Sequence, residues 1–329
     1  MIARVLLRIV IVATAAWAGL ALWVQRPLAS VGTLSLIFLT ALLAIAALVC
    51  VRQRPRVALI LYAIGTLSVC VWWWTIVPTN NRDWAPDVAR QTQGVVDGDR
   101  VTLTNVRNFD WKSDTDFTPR WETRQYDLTK LRSTDMIVSY WGMSAIAHTL
   151  VSFGFEGGEQ VVFSVEIRRE RHESFSELGG FFKQFELSVV AADERDIVRV
   201  RTNVRDEDDY LFRVNMSPEA RRSLFLAYIE QANALPVTPR FYNTVTANCT
   251  TIIYHMARRI VDGLPWDYRL LASGYLPEYL FDLGAFSGAS TIEEYRARGR
   301  ITDRARATTP SDDFSKAIRQ GVPGIPAGG

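Results

Sequence analysis

The sequence predicts an α+β domain carried outside a membrane behind three N-terminal spanning helices, and three observations support that reading. Three apolar runs fill the first quarter of the 329 residues, each near the ~20 residues that a helix needs to cross hydrocarbon. Between residues 80 and 302, strand-like and helix-like patterns alternate without an internal repeat or low-complexity block, which suits a mixed α+β domain. Charge divides at the same boundary. Of the 37 basic and 35 acidic side chains, six arginines and no acid lie in residues 1–78, leaving 31 basic against 35 acidic groups beyond them. The positive excess therefore belongs to membrane flanks, and a nucleic-acid partner is excluded despite the chain's net charge of +2. The layout read from this is an anchor over 1–78, an exported domain over 79–302 and a tail over 303–329, whose Gly, Pro, Ser and Ala content predicts a frayed end.

The apolar runs cover 5–24, 28–51 and 57–77. Arg4 and Arg8 give the first a signal-peptide-like start, but two more spans follow directly and no small-residue cleavage site precedes a polar start, so all three are read as retained. Arg4 and Arg8 precede the first span, and Arg52, Arg54 and Arg56 fill the second loop, whereas the first loop offers only Arg26. The positive-inside rule then puts the amino terminus in the cytoplasm and the residues after the third span outside. Trp72, Trp73 and Trp74 close that span as an interfacial belt, and Pro78 ends it. Cys50 and Cys70 lie within spans and read as packing residues, which leaves Cys249 as the exported part's single thiol.

Beyond the anchor, 95–105 and 135–141 read as strands. Two β-rich runs, 148–155 and 160–167, flank Glu156-Gly157-Gly158-Glu159, a hairpin signal, and 185–191 and 196–202 read as further strands. Ser217-Pro218-Glu219 opens a helix whose Leu224, Phe225, Tyr228 and Ile229 keep one apolar face to about Asn233. A second helix is expected from Cys249 to Val261, stopped by Asp262-Gly263 and Pro265.

Cys249 sits where the polar stretch Thr246-Ala247-Asn248 gives way to this helix. The unpaired N–H groups and positive dipole end of a first helical turn lower a thiol pKa, making a nucleophilic thiolate; the bland alternative is a buried structural cysteine. Asn248 has two possible duties, as helix cap or as donor to an oxyanion. A thiol nucleophile needs a base, and the chain has three histidines. His255 lies six residues past Cys249, about 240° around the helix, and reads as a surface or packing residue. His172 sits in a charged run and reads as solvated. His148, at the mouth of an apolar strand, remains the candidate. If the hairpin loop is Glu156 to Gly158, Phe155 pairs with Glu159 and His148 falls opposite Glu166, which then orients the imidazole; a two-residue loop turns Glu166 to the other face. Neither the histidines nor the cysteine have zinc-ligand spacing, and no Gly-rich phosphate loop is present, so no cofactor or metal is expected.

The ordered motifs at 148–155, 164–170, 192–205 and 241–251 resemble the Lnb N-terminal periplasmic domain family over about residues 109–279. The resemblance implies a circularly permuted papain-like (NlpC/P60-like) fold, with His148 as base and Cys249 as nucleophile. It further implies a bacterial inner-membrane, multi-pass protein whose catalytic domain is periplasmic, with the bilayer and a lipoprotein or acyl-lipid substrate as partners, as in lipoprotein intramolecular transacylases. A thiol acyltransferase or hydrolase is the leading expectation. A cell-wall peptide amidase and a non-catalytic envelope binding domain are the alternatives. Two secondary features are read beside it. Arg199, Arg201 and Arg205 share a face if their strand continues, giving an anion site, against internal pairing with the acids at 193–196 and 206–209. Trp111, Trp121, Tyr140 and Trp141 line an acyl groove or simply join the core.

Overall fold

The computed structural model describes residues 2–309 and 311–326, and the chain divides into two compact units. The first contains Met1–Thr79 and Ser174–Glu186. Its helices α1 (Ile2–Gln25), α2 (Ser30–Gln53) and α3 (Pro55–Thr75) are each long and apolar enough to cross a membrane. Pro55 opens α3, where its missing N–H costs no hydrogen bond. Ile11, Ala47, Val51 and Ala58 pack between the helices, while Phe38, Val49 and Trp74 face outward, as lipid-facing residues do. Ser174–Glu186 adds a short helix, α4 (Glu177–Phe181), capped by Ser176. Lys183 Nζ donates to the carbonyls of Trp73 at 3.0 Å and Ile76 at 3.2 Å, at the end of α3.

The second unit holds an eight-stranded mixed sheet. Its strands are β1 (Gln93–Asp97), β2 (Arg100–Arg107), β5 (Trp121–Asp127), β6 (Leu131–Tyr140), β7 (Ala147–Phe155), β8 (Gln160–Arg168), β9 (Glu186–Ala192) and β10 (Asp208–Arg213); β3 (Asp110–Trp111) and β4 (Phe117–Thr118) form a separate small hairpin. The order is β1-β2-β9-β8-β7-β6-β10, with β5 on β2; β2 pairs with β9 in parallel, whereas β1 and β5 on β2, β6 on β7 and β10, and β7 on β8 are antiparallel. One face is covered by α6 (Pro218–Val237) and α7 (Cys249–Arg258), whose Phe225, Tyr228 and Ile252 pack on Phe153 and Phe163. The other is covered by α5 (Glu194–Arg199), α10 (Thr302–Ala307) and α11 (Phe314–Arg319). Helices α8 (Leu276–Asp282) and α9 (Ile292–Gly299) close a third apolar cluster around Phe212.

Three sequence expectations need correction. The single strand at 95–105 is the hairpin of β1 and β2, turning at Gly98 with φ 59°; the Asp-Gly signal outweighs the run of β-formers. The strand at 196–202 is α5, continued by one π-type turn over Val200–Val204. Its short β-branched run fits either structure by pattern, and the Asp193 side chain, accepting the Arg195 N–H, selects the helix. The tail is folded, not frayed: Phe314, Ile318 and Val322 are buried, and only its last residues, 327–329, with residue 310, lie outside the described chain. The expected ends also move, since α7 stops at Arg258 and α6 runs to Val237.

Candidate catalytic site

Cys249 is the first residue of α7, and the loop before it is fixed by its own bonds. Asn243 and Ala247 exchange backbone hydrogen bonds, and the Asn243 side chain accepts the N–H groups of Val245 and Thr246. Asn248 caps the helix: its Oδ1 accepts the N–H of Thr250 at 3.0 Å and of Thr251 at 2.8 Å, and the Thr251 hydroxyl accepts the N–H of Asn248. This capping box satisfies three of the four N–H groups that open a helix. The fourth belongs to Cys249 itself. Asn248 Nδ2 donates to the Thr244 carbonyl at 2.7 Å, so both ends of the amide are occupied and, of the two duties left open by the sequence, the geometry provides the cap.

His148 comes from β7, and the register is the one set by the three-residue loop. Phe155 N–H donates to Glu159 O, and the ladder from Gly154↔Gln160 to Leu150↔Ser164 extrapolates to His148 opposite Glu166. His148 Nε2 lies 2.7 Å from Ser164 Oγ and 3.2 Å from Glu166 Oε1. Because Ser164 donates its own proton to Glu166 at 2.7 Å, it accepts from an Nε2–H, which leaves Nδ1 as the ring nitrogen available to the Cys249 thiol. Arg201 backs Glu166 at 3.0 Å and Glu207 at 3.2 Å.

Electrostatics follow from this arrangement. Burial pushes the His148 imidazole down, but the Glu166 carboxylate outweighs it and Arg201, and with hydrogen bonds to Cys249 and Glu166 raises the pKa to about 9. Burial pushes the Cys249 thiol up. The hydrogen bond and charge of His148, the Thr149 N–H and the Thr250 hydroxyl outweigh burial and lower it. Glu166 is pushed up by burial and held well below the ordinary carboxylate range by His148, Arg201 and Ser164. Opposite shifts on a touching thiol and imidazole favour the thiolate–imidazolium form. Both groups are nearly buried, Cys249 at 6% and the His148 side chain at 12% exposure.

Residues 117–274 match the family model of the Lnb N-terminal periplasmic domain. This segment is similar to that family over just under half of the chain. The chain is therefore a membrane protein with a periplasmic domain, carrying three candidate spans ahead of it. No curated protein and no solved structure matches the chain. The Lnb domain contains His148, Ser164, Glu166, Arg201 and Cys249, so the whole cluster falls within the matched residues.

The structure disperses the other candidates. His172 is 77% exposed, and His255 is exposed on α7. Because 196–204 is helical, the three arginines do not share a strand face: Arg201 turns into the cluster, while Arg205 pairs with Asp114. Internal pairing accounts for the neighbouring acids, with Asp193 on Arg124, Glu194 on Arg319, Asp196 on Arg107 and Asp206 on Arg306. Trp111 and Trp121 gather with Phe109, and Trp111 Nε1 donates to Asp196, whereas Tyr140 packs on Tyr210 and donates to the Gly274 carbonyl. Those two places do not form one aromatic groove. Among the described residues, no group of three His, Cys, Asp or Glu side chains is arranged to hold a metal ion. Sequence reasoning missed Ser164, although its spacing from Glu166 puts both on one strand face, and it missed Arg201 as the partner of Glu166.

Proposed function

We propose that the periplasmic domain is a thiol acyltransferase or hydrolase of the permuted papain-like class, at the bacterial inner membrane, acting on a lipid-linked or lipoprotein substrate. The observation that carries this reading is Cys249 at the start of a helix packed against the strand of His148, with Glu166 Oε1 3.2 Å from the imidazole and the thiol and imidazole shifting each other's pKa in opposite directions. The permuted assignment is supported by chain order, since the histidine strand β7 precedes the cysteine helix α7. A lipid-linked substrate is supported by the tether: α3 ends at Thr75, and the second unit begins at Asn80.

The Cys249 thiolate attacks the carbonyl carbon of an acyl ester, forming a C–S bond. The oxyanion of the tetrahedral intermediate accepts the remaining helix-start N–H, that of Cys249. Its collapse breaks the C–O bond, the His148 imidazolium protonates the leaving alkoxide, and an acyl-thioester remains on Cys249. Neutral His148 then removes a proton from an amine or water as it attacks the thioester, and the Cys249 thiolate leaves.

Full-length protein in phospholipid vesicles, incubated with a diacylated lipopeptide and digested for mass spectrometry, tests this. The expected result is a hydroxylamine-labile acyl mass on the Cys249 peptide, lost in Cys249→Ser. An acyl mass on a different residue, or undiminished turnover in that variant, overturns the reading.

A further inference from the structure

Behind the thiol and imidazole, four polar side chains form a row across neighbouring strands. Asp209 on β10 pairs in register with Ser139 on β6, Ser139 pairs with His148 on β7, and His148 lies beside Glu166 on β8. Arg201, from the turn after α5, closes the row by donating to Glu166 through one nitrogen and to Glu207 through another. All of these groups are buried or nearly so; the side chains of Arg201 and Glu207 are 7% and 8% exposed.

The row contains one more acid than its hydrogens can serve. The Ser139 hydroxyl touches both Glu207 Oε2 and Asp209 Oδ1. It has a single proton to give, so both contacts are hydrogen bonds only when one of the two acids carries a proton of its own. Burial pushes Glu207 up, but Arg201 and Ser139 outweigh it and hold this carboxyl below its ordinary value. At Asp209 burial prevails over Ser139 and Arg201, and with Glu207 and Asp208 adding to the rise the pKa reaches about 7. A second observation agrees. Asp209 Oδ2 is buried without a hydrogen-bond partner among the described residues, which is far more costly for an ionised carboxylate than for a neutral acid. The surrounding charges are otherwise committed, since Asp208 pairs with Arg300 and the Asp209 N–H donates to Thr302.

We propose, resting on the thiol–imidazole reading above, that Asp209 and Arg201 are positioning residues: Asp209 stores a proton whose release draws Arg201 toward Glu207 and Asp209 and away from Glu166, so that Glu166 holds the His148 imidazolium more firmly. With Cys249 as thiolate and His148 charged, this group already carries one formal negative charge in excess, and the stored proton keeps it from carrying two. Arg201 disfavours the imidazolium and Glu166 favours it, so both the movement of Arg201 and the added negative charge act in the same direction on His148.

Full-length protein in detergent micelles, with its three histidines isotopically labelled, allows His148 to be followed by NMR while infrared difference spectra report protonated carboxyl groups. In the wild type, a buried acid carbonyl band should fade as pH rises through about 7, and the His148 resonance should inflect over the same range. Asp209→Asn should lose both features and lower the main His148 midpoint by up to about one pH unit, as expected for removing one charge from a buried cluster. Absence of the band in the wild type, which needs no variant to fold, overturns the proposal. So does a band whose fading leaves the His148 resonance unmoved. Alkylation of Cys249, read on its own peptide, separates the two readings: an inert thiol with intact coupling between Asp209 and His148 defeats the enzyme assignment and leaves the coupling standing.

Discussion

Among individual residues, the reading turns on which proton His148 holds and at what pH it gives it up. The proposed acylation of Cys249 needs the imidazolium as acid, so kcat/KM should fall as pH rises through about 9, the value to which Glu166 and its hydrogen bonds bring His148 against burial. The acid limb belongs to Cys249, whose lowered pKa extends the thiolate form downward. Glu166→Gln removes the charge that favours the imidazolium and leaves Arg201, which disfavours it. The basic limb should therefore move to lower pH; a pH–rate profile in which it stays in place removes Glu166 from the mechanism. Cys249 and His148 could be singled out as candidates because the chain has few thiols and imidazoles to choose among. Glu166 was legible only conditionally, through a loop length that the sequence left open. Ser164 and Arg201 were not, because a serine in a strand and an arginine in a charged run carry no local mark of their partners.

For secondary-structure elements, the start of α7 joins stability to reactivity in one residue. Asn248→Ala removes the acceptor for the N–H groups of Thr250 and Thr251 and the donor to Thr244, and loss of such a cap costs about 1 kcal/mol, within a range of ~0.5–2. Urea denaturation of the full chain should show that loss, together with slower alkylation of Cys249, because a frayed first turn no longer holds the sulfur at the positive end of the helix dipole. Equal alkylation rates at reduced stability would confine Asn248 to a structural role. Elements with a physical punctuation mark were readable: Ser217-Pro218 at α6, Asn248 at α7 and the paired glycines between β7 and β8. Where β-formers surround the mark, as at Gly98 and Asp193, the element was misjudged. Ile197, Val198 and Val200 are β-branched and buried, and only the cap at Asp193, with Glu194 and Asp196 in the first turn, marks this stretch as helical.

Across the whole periplasmic unit, the residues that composition marked as a loose tail lock the sheet to its covering helices. Arg319 on α11 is 5% exposed and donates to Glu194 through two nitrogens at 2.7 and 2.6 Å, and to Asp135 at 3.0 Å, both of these side chains being fully buried. Composition could not reveal this, since an arginine in a Gly- and Pro-rich segment reads as solvated until the fold supplies two buried carboxylates. Glu194 stands at the start of α5, and α5 leads into the turn that carries Arg201, so the last helix steadies the group that braces Glu166. Arg319→Met keeps the length of the side chain and removes its charge, leaving Glu194 with Ser152 and Asp135 with Arg213. Breaking a buried ion pair from one side costs about 3–5 kcal/mol, which for a domain of this size lowers Tm by roughly 10 °C. Arg205→Met, which breaks the more exposed pair with Asp114, should change Tm little and provides the control. If the tail acts only as a clasp, the His148 resonance of Arg319→Met below its melting point matches the wild type; if it steadies α5, that resonance shifts with the loss of Tm, because Arg201 no longer holds its place between Glu166 and Glu207.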